Sequence, residues 1–317
     1  MHGRAECVKY IPSGSVLSRW EAEVAIQMKL RIFQKGFNYS QDGVGNRLVW
    51  HLQGCNMQCP WCSNPEGMSV NGELITEEEW LKESCCPHGA VKDRRLDREV
   101  CCQCKDKPCI QNRRQKGIRL SYKEYTVDEV VRECVSAKPM FFDKGGVTLT
   151  GGEISVQFEA AKELLQELGK EGIHRAIECN GSHAKMEELI PYVEQWIMDV
   201  KHYDEEQHKA WVGMSNKWTL MNLEKITTAH PNVLIRVPLI PGFNDNKEDA
   251  KGFAELFKEK LHGTNTRVEF LVYHEFGKRK WEQCGKAYQM KNEIIAPELR
   301  EYFEEVMKDN GIKCVRT

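Results

Sequence analysis

Cysteine is the residue through which this sequence could do chemistry. It has fourteen, and most are clustered. The run Cys55-Asn-Met-Gln-Cys59-Pro-Trp-Cys62 puts three thiols on one short loop. Three thiolates can hold three irons of a cubane cluster and leave the fourth iron open; a fourth thiolate would close the site, as in electron-transfer clusters. An open metal position is where a substrate binds. The alternative is a zinc site of these three thiols completed by His51 or another residue. A second group holds Cys85, Cys86, Cys101, Cys102, Cys104 and Cys109. Where thiols stay reduced, such clusters point to metal ligation rather than disulfides. The scattered Cys7, Cys134, Cys179, Cys284 and Cys314 read as small buried hydrophobes.

These residues need a scaffold, and the rest of the chain supplies one. Apolar, β-branched runs at 48–52, 147–150, 175–178, 196–200, 233–238 and 267–272 read as strands. Helical patterns lie between and after them. One is at 156–168, ended by Gly169, and another at 185–192. Others run from about 217 to 228, from a cap at Asn246 to 261, and over 297–308. Six strands with helical crossovers imply a parallel sheet, more naturally an open or partial barrel, (β/α)6, than a complete eightfold one. Chemistry then sits at the C-terminal strand ends. Cys55, the pair Gly151 and Gly152, the pair Asn180 and Gly181, Asp199 with Lys201, Arg236 with Pro238, and Tyr273 with His274 all follow or end a strand. They are expected on one face. Asp42, Gly43 and Gly45 precede the first strand, on a loop whose glycines admit another backbone; a plain β-turn is the alternative.

The domain reading has four parts. Residues 1–28 are weakly patterned, either an extension or a stretch before a native start at Met28. Residues 29–84 and 118–317 form the core. Residues 85–117 are a polar, cysteine-rich insert with little apolar surface, expected to depend on a metal for order. The capping box Thr126-Val-Asp-Glu129 restarts helix after it. The 45 basic and 47 acidic side chains give 45 − 47 = −2 over 317 residues, with no general electrostatic reason to bind nucleic acid or membrane. No apolar run approaches the roughly 18 residues of a membrane span, and residues 1–31 lack the apolar core of a signal peptide. The expected location is the cytoplasm.

The three-cysteine loop resembles the signature of the radical S-adenosylmethionine superfamily. Further segments resemble its glycyl-radical enzyme activating enzymes, the pyruvate formate-lyase activase type. They are Gln41-Asp-Gly-Val-Gly-Asn-Arg47, Cys62-Ser-Asn-Pro-Glu-Gly67, Thr150-Gly-Gly-Glu153, Asp199-Val-Lys201, Ile235-Arg-Val-Pro-Leu-Ile-Pro-Gly242 and Tyr273-His-Glu-Phe-Gly277, in that order. The likeness spans roughly residues 30 to 317. The pattern departs at Val44, Asn46, Ser63 and Ile154.

The resemblance implies a partial radical SAM barrel with a ferredoxin-like insert. Cys55, Cys59 and Cys62 would hold a [4Fe–4S] cluster whose open iron chelates S-adenosylmethionine. Reductive cleavage would give a 5′-deoxyadenosyl radical that takes hydrogen from a glycine of a partner glycyl-radical enzyme. Trp61 would lie beside the adenine, Gly151 and Gly152 beside the methionine part, and Glu153 near its ammonium. Lys201 would pair with the ligand carboxylate, and Asp199 with Glu178 would hold a ribose or a monovalent cation. Arg236 is a further cofactor contact, and Asp42, Gly43, Gly45 and Arg47 would receive the partner. In the insert, ferredoxin logic leaves ligands for one auxiliary [4Fe–4S] cluster, namely Cys86, Cys101, Cys104 and Cys109, with Cys85 and Cys102 as alternatives; zinc is the competing occupant. A flavodoxin- or ferredoxin-type protein would donate electrons. Two other readings compete: a radical SAM enzyme acting on a small molecule or another peptide, and a non-catalytic iron–sulfur or zinc protein.

Overall fold

The computed structural model describes residues 28–39, 41–111, 116–291 and 294–317. Cys7 and nearly all of the expected extension lie outside the described residues. Strand β1 (Lys29–Tyr39) runs antiparallel to β2 (Asn46–Leu52). Small strands β3 (Leu74–Thr76), β4 (Val91–Lys92), β5 (Arg95–Leu96) and β6 (Ile118–Leu120) belong to the cysteine-rich region. Then come β7 (Lys123–Thr126), β8 (Gly146–Gly151), β9 (Arg175–Cys179), β10 (Gln195–Asp199), β11 (Val233–Leu239) and β12 (Thr266–Val272). The main sheet has the order β12-β11-β10-β9-β8-β2-β1-β7. Its six strands from β2 to β12 are mutually parallel, and they are the six read from the sequence. These six parallel strands follow one another in the sheet in the order they follow in the chain, the order of a partial barrel.

Burial explains why these strands were legible. β11 is buried almost throughout, because a parallel strand is covered on both faces. Pro238 is tolerated within it because β10 stops pairing at Asp199↔Arg236, leaving no ladder bond for a proline N–H to miss. The antiparallel additions β1 and β7 were not read. β1 alternates only briefly before an irregularity between Ile32 and Gln34 breaks its period, and β7 exists through pairing with β1.

Helices α1 (Arg98–Cys102) and α2 (Pro108–Gln111) lie in the insert. Helix α3 (Val127–Ser136) starts at the expected capping box, with both of its reciprocal bonds formed. Helix α4 (Phe158–Lys170) packs Phe158, Ala161, Leu164, Leu165 and Leu168 against the sheet. It does not end at Gly169. That glycine instead makes room for Arg175, whose guanidinium would lie 2.1 Å from an added Cβ. The expected helix at 185–192 is a 3-10 turn, Met186–Tyr192, with Pro191 inside it. Helix α5 (Glu205–Val212), unread in the sequence, precedes α6 (Lys217–Ala229). Helix α7 (Lys247–Lys260) is capped by Asn246, whose side chain accepts from the Asp249 N–H. Helices α8 (Lys278–Gln283) and α9 (Pro297–Asp309) follow the last strand. No described helix is long and apolar enough to cross a membrane.

Candidate active site and cysteine centres

The three-cysteine loop leaves the C-terminal end of β2 and is held by the ends of neighbouring strands. Gly54 N–H donates to Gly67 O at 2.8 Å, and Cys55 N–H to Met68 O at 2.9 Å. The segment after β8 binds it next: Gly152 N–H donates to Leu52 O at 2.9 Å, and Glu153 N–H to Gly54 O at 2.8 Å. An added Cβ on Gly152 would meet Gly54 O at 2.2 Å and Gly67 O at 2.6 Å. The close approach that Gly152 permits is therefore made by the chain's own cysteine loop. From β9, Asn180 Nδ2 donates to Asn56 Oδ1 at 2.9 Å, while Asn56 Nδ2 donates to Ser182 Oγ at 2.7 Å. Beneath the loop, Met57, Cys59 and Trp61 pack with Val212, Ile240 and Phe243. The Trp61 ring lies 4.9 Å from Phe243 and 6.1 Å from Trp211.

The thiols have the chemistry of cluster ligands. Burial pushes Cys59 up to about 12, and moves Cys55 and Cys62 upward too. Left to themselves they stay protonated, and a thiol-bound metal replaces those protons. Backbone N–H groups of Met57 and Asn64 already point at Cys55 Sγ and Cys62 Sγ, each at 3.4 Å. The Lys201 charge favours the Cys59 and Cys62 thiolates. Among the described residues no group of three or more Cys, His, Asp or Glu side chains forms a site for a single metal ion. His51, a candidate fourth ligand of the zinc alternative, packs on Phe33 and is pushed down to about 4 by burial.

Charged residues line the strand ends as expected, but most already have partners. Lys201 Nζ pairs with Asp199 Oδ2 at 2.8 Å. Burial opposes the lysine charge, yet Asp199 and the nearby cysteines hold it above its usual range. Glu178 accepts from Arg236 Nη1 at 2.6 Å and from Thr150 Oγ1 at 2.8 Å. Arg236 also donates to Glu269 Oε2 at 3.0 Å, and Glu269 accepts in turn from Thr317 N–H at 2.7 Å. Glu269, 1% exposed, was not singled out in the sequence. Glu153 is 1% exposed and its two oxygens accept from the Ser155 and Asn180 N–H groups. Burial raises its pKa, and those N–H donors counter the rise.

The Asp42 loop, which leads into the start of β2, is held by side chains of β8, β10 and β11. Thr148 Oγ1 donates to Asp42 O at 2.6 Å, the Val44 N–H to Gln195 Oε1 at 3.1 Å, and Arg236 Nη2 to Gln41 O. Gly45, at φ +74°, lies so close to the 142–145 backbone that a Cβ would meet Asp143 O at 2.4 Å. Arg47 corrects the expectation of a partner contact. It is 0% exposed, its guanidinium bonded to Val44 O, Val147 O and Thr148 Oγ1. It sits at the start of β2 and positions the loop from beneath.

In the insert, Cys86, Cys101, Cys104 and Cys109 line one small, nearly closed hollow, with Ala90, Leu96, Val100 and Ile118 among its walls. Cys85 is buried in the adjoining core and Cys102 is exposed; neither lines the hollow. Burial first, and then the neighbouring thiols of the hollow, raise the pKa of Cys101 and Cys109. Of the single cysteines, Cys134, Cys179 and Cys284 are buried as expected, and Cys314 is half-buried.

Residues 100–254 match the family model described as the Radical SAM superfamily. A radical SAM methyltransferase from Sphaerobacter thermophilus has a similar fold, at TM-score 0.52 and 12% identity over 89% of this chain and 76% of that one. Fold and site thus define a radical SAM protein. The 4-hydroxyphenylacetate decarboxylase activating enzyme of Clostridioides difficile strain CD196 is 31% identical over 292 residues, 86% of this chain and 91% of that protein. The isethionate sulfite-lyase activating enzyme of Desulfovibrio desulfuricans is 32% identical over 268 residues, 78% of this chain and 84% of its own length. The chain belongs to the glycyl-radical enzyme activating enzymes of the radical SAM superfamily.

Proposed function

We propose that this chain generates the glycine radical of a partner glycyl-radical enzyme. The observation that carries this is the thiol triad at the C-terminal edge of a partial barrel, Cys59 buried and Cys55 and Cys62 half-buried, with Lys201 and Asp199 beside Cys59, in a chain 31% identical to an activating enzyme over 91% of that relative. A [4Fe–4S] cluster with S-adenosylmethionine, when bound, supplies one-electron cleavage of the sulfonium and a hydrogen-abstracting radical. Cys55, Cys59 and Cys62 would hold it. Lys201 would turn from Asp199 to the ligand's carboxylate, leaving Asp199 and Glu178 to a ribose hydroxyl or a monovalent cation. The Asn56–Asn180–Ser182 bonds keep the loop in place while ligands exchange.

Gln41 to Val44 are held through their backbone by side chains of β8, β10 and β11, which supports this segment as the place where a peptide backbone is admitted. Of the expected contacts, half-buried Asp42 remains open to a partner; Gly43 and Gly45 are buried, seated against Arg47 and the 142–145 backbone of the chain itself, with Arg47 behind them. We also infer one auxiliary [4Fe–4S] cluster on Cys86, Cys101, Cys104 and Cys109 within residues 85–117, receiving single electrons from a flavodoxin- or ferredoxin-type donor. The thiol chemistry of both centres suits a reducing, cytoplasmic setting.

The test is electron paramagnetic resonance on anaerobically reconstituted protein with reductant, S-adenosylmethionine and a panel of glycyl-radical enzymes. A glycine-centred signal that depends on this chain is the expected result. No signal with any member of the panel, from protein that still releases 5′-deoxyadenosine, would reject a glycyl-radical partner and leave a smaller substrate.

A further inference from the structure

Helix α8 follows the last strand and touches both cysteine centres. At its start, Gly277 packs against the first loop: a Cβ there would meet Cys62 O at 2.7 Å and Ser63 Cα at 2.8 Å. In its middle, Trp281 Nε1 donates to Cys62 O at 2.8 Å, and Lys280 Nζ reaches Asn64 Oδ1 at 2.6 Å and Glu66 Oε1 at 2.8 Å. Just past its end, Gly285, at φ +68°, packs against the insert: a Cβ would meet Arg98 Nε at 1.7 Å. Arg98 opens α1, the helix that carries Cys101, and its guanidinium forks onto Leu74 O at 3.1 Å and Gln283 O at 3.0 Å. Thr76 Oγ1 adds a bond to the same Gln283 O at 3.2 Å.

We propose that α8 is a strut that fixes the insert against the Cys55–Cys62 loop, with Arg98 and Trp281 as its positioning residues. Two glycines without side chains let the strut seat at both ends, and hydrogen bonds to main-chain carbonyls set its register. The device makes the separation of the two centres a property of the fold, which a single-electron transfer between them requires. The proposal rests on the auxiliary-centre reading for its purpose, but its mechanics stand without it.

The experiment is amide hydrogen exchange on the anaerobically reconstituted protein, with iron content measured on the same samples. In Arg98→Ala, exchange should quicken about tenfold over 278–285 and also over 62–64 on the far side of the strut. Arg98→Lys, which keeps the charge but loses the fork, should give a smaller rise. Trp281→Phe keeps the ring and loses the N–H, and should quicken 62–64 alone; it decides the matter if Arg98→Ala fails to fold. In the parent, electron paramagnetic resonance of the reduced protein should show two interacting centres, and Arg98→Ala and Trp281→Phe should weaken that interaction at unchanged iron. Unchanged exchange over 62–64 in both Arg98→Ala and Trp281→Phe would overturn the strut. About four irons per chain in the parent, instead of the eight of two cubanes, would instead reject the auxiliary centre, and the exchange result would still decide the strut.

Discussion

The Cys55–Cys62 loop and the insert both gather thiols, yet the chain holds them by different means. The first loop is bonded to the ends of β2, β8 and β9, strands of the main core, is braced by α8, and adds Cys59 to a small apolar cluster with Met57, Trp61, Val212, Ile240 and Phe243. The insert has a small core of its own, in which Cys85, Cys101 and Cys109 are themselves members beside Leu74, Leu81, Ala90, Val91 and Ile118. In the first region the fold presents the thiols. In the second the thiols are much of the local core, so a metal bound there would be coupled to order.

Four experiments bear on that contrast. The largest effect is expected from Cys59→Ala, which should abolish 5′-deoxyadenosine release under dithionite while the melting temperature stays near the parent value. Undiminished product would show that the first loop is not the reactive centre. Next, replacing Cys101, Cys104 and Cys109 together by Ala should lower iron by about four per chain. Limited proteolysis should then cut between 85 and 117 while the barrel resists. Equal resistance of the insert would mean it is scaffolded as firmly as the first loop.

The third change stays within the scaffold. Arg236→Ala leaves Glu178 and Glu269 facing a buried space without their cation. Loss of one partner from such a cluster costs about 3 kcal/mol, read from urea unfolding of the apo-protein, with the insert's proteolysis unchanged. A loss below a few tenths would mean that the two carboxylates protonate or rearrange freely.

The smallest effect concerns pH. Burial lowers the His51 pKa from 6.5 to about 4. A depressed pKa in the folded state means that unfolding takes up a proton as the pH falls through this window. The contribution of His51 to stability is thus fully present above pH 6.5 and is lost as the pH falls toward about 4. His51→Gln should flatten that acid limb in urea titrations at several pH values. Parallel limbs for parent and variant would assign the decline to other groups.

The amino-acid sequence determined the local features, because these depend on short-range pattern. The spacing of Cys55, Cys59 and Cys62 needs no tertiary contact to be read. The six parallel strands were visible because burial on both faces leaves unbroken apolar runs, and the caps at Thr126 and Asn246 are bonds within four residues. Tertiary structure decided what depends on partners far along the chain. Gly152 proved to seat the cysteine loop, Arg47 to be buried under its own loop, and Cys86 rather than Cys85 to face the insert's hollow. The bond from Trp281 to Cys62 joins residues 219 positions apart, and the clasp of Arg98 on Gln283 spans 185. No periodicity or spacing encodes such pairs. They arise only when the parallel sheet has closed enough to bring the segment after its last strand against the loop after its first parallel strand.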